Sequence, residues 1–435
     1  MQQNTSDSLL EKATRQHTKG HNSRLVLRTI YEYGEISRAG LARLTHLTRA
    51  TVSEVVSDLI ELHLVEEVGQ GSVAVGRTPT LLSVVDDARQ VAAISVTNDQ
   101  VRGALVNLRG VLRRDFSRTL PSLDGDTVLA TIYSLVDELI QAADRPLLGI
   151  GINTPGLIDT AAGTVVRAVT FGWVDLPLRA LLQERSGLPV YVANDSHSLA
   201  LAEYMFGPGQ GTPNLVVIKV GLGIGAGIVI GGHLYAGEGY GAGEIGHLVV
   251  EEGGERCKCG NQGCLETVAS SAMILRRARA LAEADPASLL HRLAVDAAAL
   301  TLADVAAAAE AGDEGARRII AATGRALAVV VASLVSVLNV RRILITGRVA
   351  ALGEQLRVAV CDELAHRALP ALVQGTAVEV AAMSPDAPLL GAAAPLLTYE
   401  LGLERLMQRP PLPRAAVEQA TWAGTSALTA KDYDA

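Results

Sequence analysis

The stretch V-G-L-G-I-G-A-G-I (220–228), followed by G-A-G-E-I-G-H (241–247) and C-K-C-G-N-Q-G-C-L-E (257–266), carries the reading of the fold. A run of β-branched residues, V-V-I-K-V (216–220), enters the alternating glycines, and a second strand, I-V-I (228–230), leaves them. Glycines there permit close backbone approach, and successive N–H groups can cradle a phosphate or a sugar oxygen. The loop is no dinucleotide fingerprint, because a strand and not a helix follows it. Downstream, Cys257, Cys259 and Cys264 supply three thiolates, and Gly260 and Gly263 let the chain fold back so that all three meet one ion. Tetrahedral zinc takes a fourth ligand, and His247 stands ten positions before Cys257. The expectation is a closed structural Zn²⁺ site of His247, Cys257, Cys259 and Cys264, with reduced, metal-free cysteines as the plainer reading. Cys361, alone in a helical segment, reads as a small core residue.

A polar set gathers around these loops: Asn194 and Asp195 after the strand Y-V-A, Glu244 and His247 in G-E-I-G-H, and Glu266 after Cys264. Carboxylates accept from hydroxyls and an amide does both, so the set suits a polyol. Taken singly, N-D is a turn and each glutamate a surface residue; attachment to the glycine and cysteine loops argues for a shared pocket.

Outward from this segment, strands and helices alternate. Strands are expected at 91–96, 101–108, 147–153, 190–193 and 342–346, helices at 127–142 and 302–338, and more helix after Gly353. The order strand, glycine turn, strand, helix recurs in both halves, which predicts a duplicated, two-lobed α/β body with a cleft between lobes. The first lobe is expected over 86–205 with a return helix near 388–403. The second, with the zinc loop and a dimer interface, is expected over 206–387. The segment 408–435, opening P-P-L-P-R, reads as a disordered tail.

The N-terminal part has a different texture. After a polar arm (1–22), Leu25, Leu27, Ile30 and Tyr31 mark a helix that stops at Gly34. Ser37 caps a short helix, T-H-L makes a turn, and Thr48 caps a third helix whose buried face is Val52, Val55, Val56, Leu59, Ile60 and Leu62. The runs L-V-E-E-V (64–68) and T-L-L-S-V-V (80–85) then form a hairpin wing. This is the layout of a winged helix-turn-helix domain over 23–85, in which the second helix of the motif meets base edges in the major groove. The residues so placed are Thr48, Arg49, Ala50, Thr51 and Ser53, with Arg38 among the phosphate contacts. Arg77 in the wing either reaches a minor groove or pins the linker. An ordinary helical interaction module is the competing reading, but the local charge favours DNA. Between Lys12 and Arg49 stand eight basic residues against Glu32 and Glu35, whereas the whole chain has a formal net charge of -8 and pI about 5.7.

The 435 residues are 49% hydrophobic, 19% charged and 3% aromatic with 42 glycines, so Ala, Val and Leu fill the core and extended disorder is excluded. The longest uncharged stretches, 220–237 and 326–340, are broken by glycines or too short for a span of about 20 residues. No secretory pattern opens the chain, so a cytoplasmic protein is expected, with no membrane partner.

The stretch from Val220 to Glu266 closely resembles the ROK family, named for repressors, open reading frames and sugar kinases. N-T-P-G-L-I-D (153–159), F-G-W (171–173) and A-N-D (193–195) are similar to family motifs, so the resemblance runs from about Val91 to Tyr399. An N-terminal winged helix ending in G-R-x-P is typical of the repressor branch. The resemblance implies an actin-like ATPase (ribonuclease H-like) sugar-kinase fold, and a homodimer or higher homo-oligomer. It also implies zinc held by His247, Cys257, Cys259 and Cys264, and sugar contacts from Asn194, Asp195, Glu244, His247 and Glu266. Asp195 matches the kinase general base.

The departures lie at the nucleotide end. Family kinases carry D-x-G-G-T where this chain reads S-V-T-N-D (95–99), so Ser95 replaces the metal-holding Asp and Thr97 and Asn98 replace glycines. Leu222 takes the place of a hydroxyl residue, and T-G-R (346–348) replaces a glycine run. The expectation is therefore a regulator, most simply a repressor released from double-stranded operator DNA by a small sugar effector, and not an enzyme. A bifunctional sugar kinase with a DNA-binding extension, or a regulator controlled by a protein partner, shares the same domain plan.

Overall fold

The computed structural model describes residues 15–71, 78–293 and 297–400, so Arg77, the first part of the arm and the tail at 408–435 lie outside the described residues. The chain divides into two compact units, Met1–Arg89 with Thr398–Ala435, and Gln90–Leu397.

In the first unit, α1 (Arg15–Tyr33) begins inside the segment read from sequence as an arm, because polar residues before Ser23 still follow helical geometry. It ends at Gly34, whose φ of 77° breaks the spiral. The short strand β1 (Ile36–Ser37) leads into α2 (Arg38–Thr45), where the Ser37 hydroxyl accepts from the Gly40 amide at 3.1 Å. His46 turns the chain in a left-handed conformation, φ 57°, into α3 (Arg49–Glu61), capped by Thr48 accepting from the Thr51 amide at 3.1 Å. Strands β2 (Val65–Gln70) and β3 (Thr80–Val84) pair antiparallel, and β1 adds to the far edge of β3. Val26, Ile30, Leu41, Val52, Val56, Leu59 and Leu82 make the core. Leu62, assigned from sequence to that core, is the C-cap of α3 and 52% exposed.

The second unit starts with β4 (Gln90–Val96), β5 (Gln100–Asn107), β6 (Leu112–Thr119), α4 (Gly125–Ala142) and β7 (Leu147–Thr154). A small antiparallel sheet of β8 (Leu157–Asp159), β9 (Thr164–Ala168) and β10 (Trp173–Leu176) precedes α5 (Leu178–Ser186), β11 (Val190–Asn194) and α6 (Asp195–Met205). Then come β12 (Leu215–Val220), β13 (Ile224–Ile230), β14 (His233–Leu234), and the helices α7 (Leu265–Ala269), α8 (Ser271–Ala284), α9 (Leu289–Leu293), α10 (Leu302–Glu310) and α11 (Glu314–Leu338). The chain closes with β15 (Arg342–Thr346), α12 (Gly353–Arg367), α13 (Pro370–Gln374), β16 (Ala377–Val380) and α14 (Ala387–Glu400).

Two five-stranded sheets emerge with one plan. Their orders are β6-β5-β4-β7-β11 and β14-β13-β12-β15-β16. In each the central strand is antiparallel to the next strand in sequence and parallel to the two that arrive later. This duplication is the two-lobed, actin-like ATPase plan. The helices that cross between lobes exchange places: α6 leaves β11 of the first sheet to pack on β12 and β13, and α14 leaves β16 to pack on the first sheet, where the Asn153 amide donates to the Pro388 carbonyl at 2.7 Å. They cross where Gly391 meets the Ser198 carbonyl.

The alanine-rich helical stretch expected over 302–338 is two helices, α10 and α11. Asp313 interrupts it, its carboxylate accepting from the Ala316 amide to cap α11 and from Ser288 Oγ and the Leu289 amide at 2.6 Å. α11 is long and apolar enough to cross a membrane by length and composition, which corrects the sequence estimate. It packs instead into the second lobe, with Leu327, Val330, Val331 and Val335 buried.

Candidate ligand pocket and metal centre

Asn194 and Asp195 stand where β11 becomes α6. The Asn194 carbonyl oxygen caps the helix, accepting from the amides of Ser196 at 2.8 Å and His197 at 3.1 Å, while its amide donates to the Gly156 carbonyl at 2.8 Å. One N–H remains, so Asn194 is chiefly a scaffold that fixes the next residue. Asp195 sits in the first turn of α6, its carboxylate 16% exposed and ion-paired at 2.5 Å with Lys219 of β12. Sequence reading passed over Lys219, a single charge in an otherwise apolar strand.

The loop from Gly241 to His247 is tied down from two sides. The Ala226 amide of β13 donates to the Gly243 carbonyl, and His197 Nε2 of α6 donates to the Ala242 carbonyl at 2.6 Å. Burial pushes the His197 imidazole below its usual range, with this hydrogen bond and Asp195 opposing, so the ring serves as a neutral donor. Glu244, held by this loop, has its carboxyl pushed up by burial, opposed by His247 and reinforced by Asp195 and Glu266, with Lys258 opposing weakly. The charges that act on Glu244 are thus those of His247, Asp195, Glu266 and Lys258, which lie near it. Glu266, in the first turn of α7, is 12% exposed; one oxygen accepts from the Ile224 amide at 3.2 Å and the other pairs with Lys258 at 3.0 Å. The cluster thus presents three carboxylates, two of them countered by lysines, and the glycine turn is joined to it through Glu266.

Behind this wall lies the cysteine loop. Val249 pairs with Cys264 and Arg256 with Gln262 in isolated bridges, and the Cys257 amide donates to the Asn261 carbonyl at 2.7 Å. Gly263 is required twice over: its φ is 73°, and a Cβ there would lie 1.6 Å from the Glu251 carbonyl oxygen. The result draws the donor atoms of His247, Cys257, Cys259 and Cys264 within 4.8 Å of one another. Cys259 and Cys264 sulfurs are 3.7 Å apart, and Cys257 Sγ is 3.6 Å from His247 Nδ1. A tetrahedral ion with metal–sulfur bonds of about 2.3 Å needs sulfurs about 3.8 Å apart, so the donor set fits a metal. Burial and the neighbouring thiols push Cys264 up to about 12, while the Asn261 backbone amide holds Cys259 below the usual thiol range. A divalent cation relieves that crowding by taking the group as thiolates. His247 Nε2 faces the other way, 4.0 Å from Glu244.

The S-V-T-N-D stretch, where family kinases are expected to hold nucleotide, carries side chains that bond to one another. Ser95 is buried at the end of β4. In the turn that follows, the Thr97 hydroxyl donates to Asp99 at 2.6 Å and accepts from the Gln100 amide at 3.2 Å. Asp99 then pairs at 3.0 Å with Arg348 of the T-G-R segment, joining the two lobes where family kinases leave bare glycines.

In the first unit, the start of α3 presents Thr48, Arg49, Ala50 and Ser53 exposed and Thr51 half-buried, its hydroxyl 2.9 Å from that of Thr48. Arg49 has no ion-pair partner among the described residues. Arg38 is engaged instead with Glu67 of β2 at 2.8 Å, bracing the wing.

Comparison with known proteins follows the same division. A model of the ROK family matches residues 91–398. The xylose repressor of Caldicellulosiruptor bescii is 31% identical over 382 residues, covering 87% of this chain and 95% of its own. The glucokinase of Halalkalibacterium halodurans is 33% identical over 325 residues, covering 73% of this chain and 98% of its own. A crystal structure of a ROK family transcriptional regulator, a homologue of the E. coli MLC protein, is 30% identical with a TM-score of 0.77, covering 90% of this chain and all of its own.

Proposed function

Because this chain belongs to the ROK family, we propose that it is a sugar-responsive, DNA-binding transcriptional regulator, released from its operator when a sugar fills the pocket of the second unit. The observation that carries this reading is the contrast within one cleft. The carboxylate end is built and braced, while the nucleotide end is bridged by Asp99 and Arg348 and lined by Thr97 and Asn98. Phosphoryl transfer depends on positioning and neutralising the phosphates, and Ser95 has no carboxylate to hold a metal for them. Asp195 accepts a sugar hydroxyl here, with Lys219 already on one of its oxygens. The family repressor spans the N-terminal module as well, whereas the kinase relative corresponds to 73% of this chain. The glucokinase likeness keeps sugar phosphorylation as the second reading, decided by ATP turnover with a sugar panel.

In this reading Zn²⁺ is structural and holds the loop that carries Lys258 and Glu266. The protein acts in the cytoplasm as a homodimer or higher homo-oligomer that presents two winged modules to a palindromic site. A ligand that prefers one body arrangement by about 2.7 kcal/mol shifts the equilibrium about a hundredfold, and the coupling to DNA affinity is reciprocal.

Electrophoretic mobility shift of a genomic fragment library, with and without sugars, tests the whole proposal. No sequence-selective binding at any salt overturns it. Arg49→Ala is expected to weaken operator binding by about 1–3 kcal/mol and to relax preference at one position per half-site. A uniform loss across sequences with a shallower salt slope assigns Arg49 to phosphate instead. Asp195→Asn is expected to blunt release by sugar while sugar-free operator affinity stays near wild type; sugar-dependent ATP consumption lost in the same variant makes the protein a kinase.

A further inference from the structure

We propose that Asp99 and Arg348 form a clasp between the lobes that stands in for a bound nucleotide and biases the protein toward its effector-bound, operator-released arrangement. This rests on the regulator reading above and deepens it by naming a contact that sets its equilibrium. Asp99 closes S-V-T-N-D and Arg348 closes T-G-R, two of the stretches that depart from the family's kinases, and 249 positions separate them. The segments expected to hold a nucleotide in those kinases hold each other here.

Each partner is set by its own lobe. In the turn between β4 and β5 the Thr97 amide donates to the Gln100 carbonyl at 2.9 Å, and the Leu120 amide donates to the Asp99 carbonyl at 3.0 Å. The Thr97 hydroxyl donates to Asp99 Oδ1 at 2.6 Å, which leaves Oδ2 for the Arg348 guanidinium at 3.0 Å. On the other lobe, Thr346 is fully buried and its hydroxyl donates to the Ala381 carbonyl at 2.8 Å. Gly347 follows with φ 92°, and a Cβ there would lie 2.6 Å from the Val220 carbonyl oxygen, so the chain leaves β15 along one path to Arg348. Preset partners lose little freedom when they meet. Their side chains are still 50% exposed at Asp99 and 56% at Arg348, so the pair is worth only a few-fold in an equilibrium and yields to salt. That is too little to hold a fold together and enough to tilt two arrangements of similar free energy. The crossing of α6 and α14 joins the lobes through backbone, whereas this contact joins them through side-chain tips that can part. Breaking it therefore favours the operator-binding arrangement, and operator and effector affinities move in opposite directions.

The test compares Asp99→Arg, Arg348→Asp and the double exchange in the full-length protein. Operator affinity is read by mobility shift, and sugar affinity by calorimetry with glucose, mannose, xylose and N-acetylglucosamine. Each single variant is expected to bind operator about two- to fivefold tighter and sugar weaker by a similar factor, and the double exchange to restore both. These sugars are uncharged, so a wild-type sugar affinity that falls with salt, and falls less in the single variants, reports the clasp directly. Hydrogen exchange on the ligand-free proteins is expected to show residues 97–100 and 346–350 opening in the single variants only. Operator and sugar affinities that fall together mark a merely structural contact and overturn the proposal, as do unchanged affinities. Binding of Mg²⁺–ATP to the wild-type protein also overturns it, since nucleotide then needs no stand-in. Failure of every DNA fragment and sugar to bind overturns the regulator reading and with it the bias, while hydrogen exchange still decides whether the clasp exists.

Discussion

Cys259→Ser is expected to empty the metal centre and, with it, to abolish the response to effector. Cys259 is the exposed member of the set, so the substitution removes little packing and isolates the loss of a ligand. Its sulfur stands 3.7 Å from that of Cys264, and a closed site that loses one thiolate no longer holds its ion tightly. The consequence reaches the pocket through covalent neighbours. Lys258 lies between two of the ligands, Glu266 follows the third by two residues, and His247 is itself the fourth. Zinc content is expected to fall from about one ion per chain to a small fraction of that, and effector affinity by about 10- to 100-fold, as for groups that orient ligands from behind. Metal analysis with calorimetry on the same samples checks it, and hydrogen exchange should show residues 248–266 opening. A zinc-free wild-type protein that binds effector normally would defeat the metal assignment.

The features legible in the sequence were those whose physics is local. The cap residues Ser37 and Thr48, each followed three residues later by the amide it accepts from, mark the starts of α2 and α3 from local sequence alone. The cysteine spacing with its two glycines announced the loop that gathers four donors. What escaped was set by neighbours remote in sequence. Lys219 breaks an apolar strand without a periodic signal, and only the fold brings it to Asp195, 24 positions away. Asn194 reads as a ligand contact, but its amide is largely consumed by the start of α6 and by Gly156. His197 carries no motif and still fixes the loop that bears Glu244. The edge strand β6, L-R-R-D-F-S-R-T, is mostly exposed, so no alternation of apolar residues marks it; its charges suit a sheet edge that must not pair with another chain. The span-like character of α11 escapes a count of uncharged residues, which stops at Arg325, although burial in a large α/β lobe makes the same demand on composition as a membrane does.

Gly391→Ala is expected to damage the body more than any exposed substitution, because it strikes the place where the two lobes are joined. α6 and α14 are the helices that change lobes, and they pass each other with backbone nearly in contact: a Cβ on Gly391 would lie 2.2 Å from the Ser198 carbonyl oxygen and 2.6 Å from its carbon. A side-chain tip can swing away from such a clash, but a helical carbonyl cannot without breaking the spiral, so the helices must separate. Neighbouring contacts then loosen on both sides, including Ala392 against Gly151 in β7 and Pro388 accepting from Asn153. Overpacking of this kind costs about 3 kcal/mol. For a unit running from Gln90 to Leu397 that corresponds to a melting temperature lower by roughly 5 °C. Gly239→Ala is the matched control, since nothing lies within 4 Å of the added methyl there, and it should melt with the wild type. The crossing also sets how Asp195, on α6, stands relative to Glu244 and Glu266, the residues proposed to hold the effector. A Gly391→Ala protein that remains folded at low temperature should therefore bind effector more weakly while the metal content of its cysteine loop is unchanged. Wild-type melting in Gly391→Ala would show that α6 and α14 do not meet as described, and with it would fall the account of how the two lobes are held around the pocket.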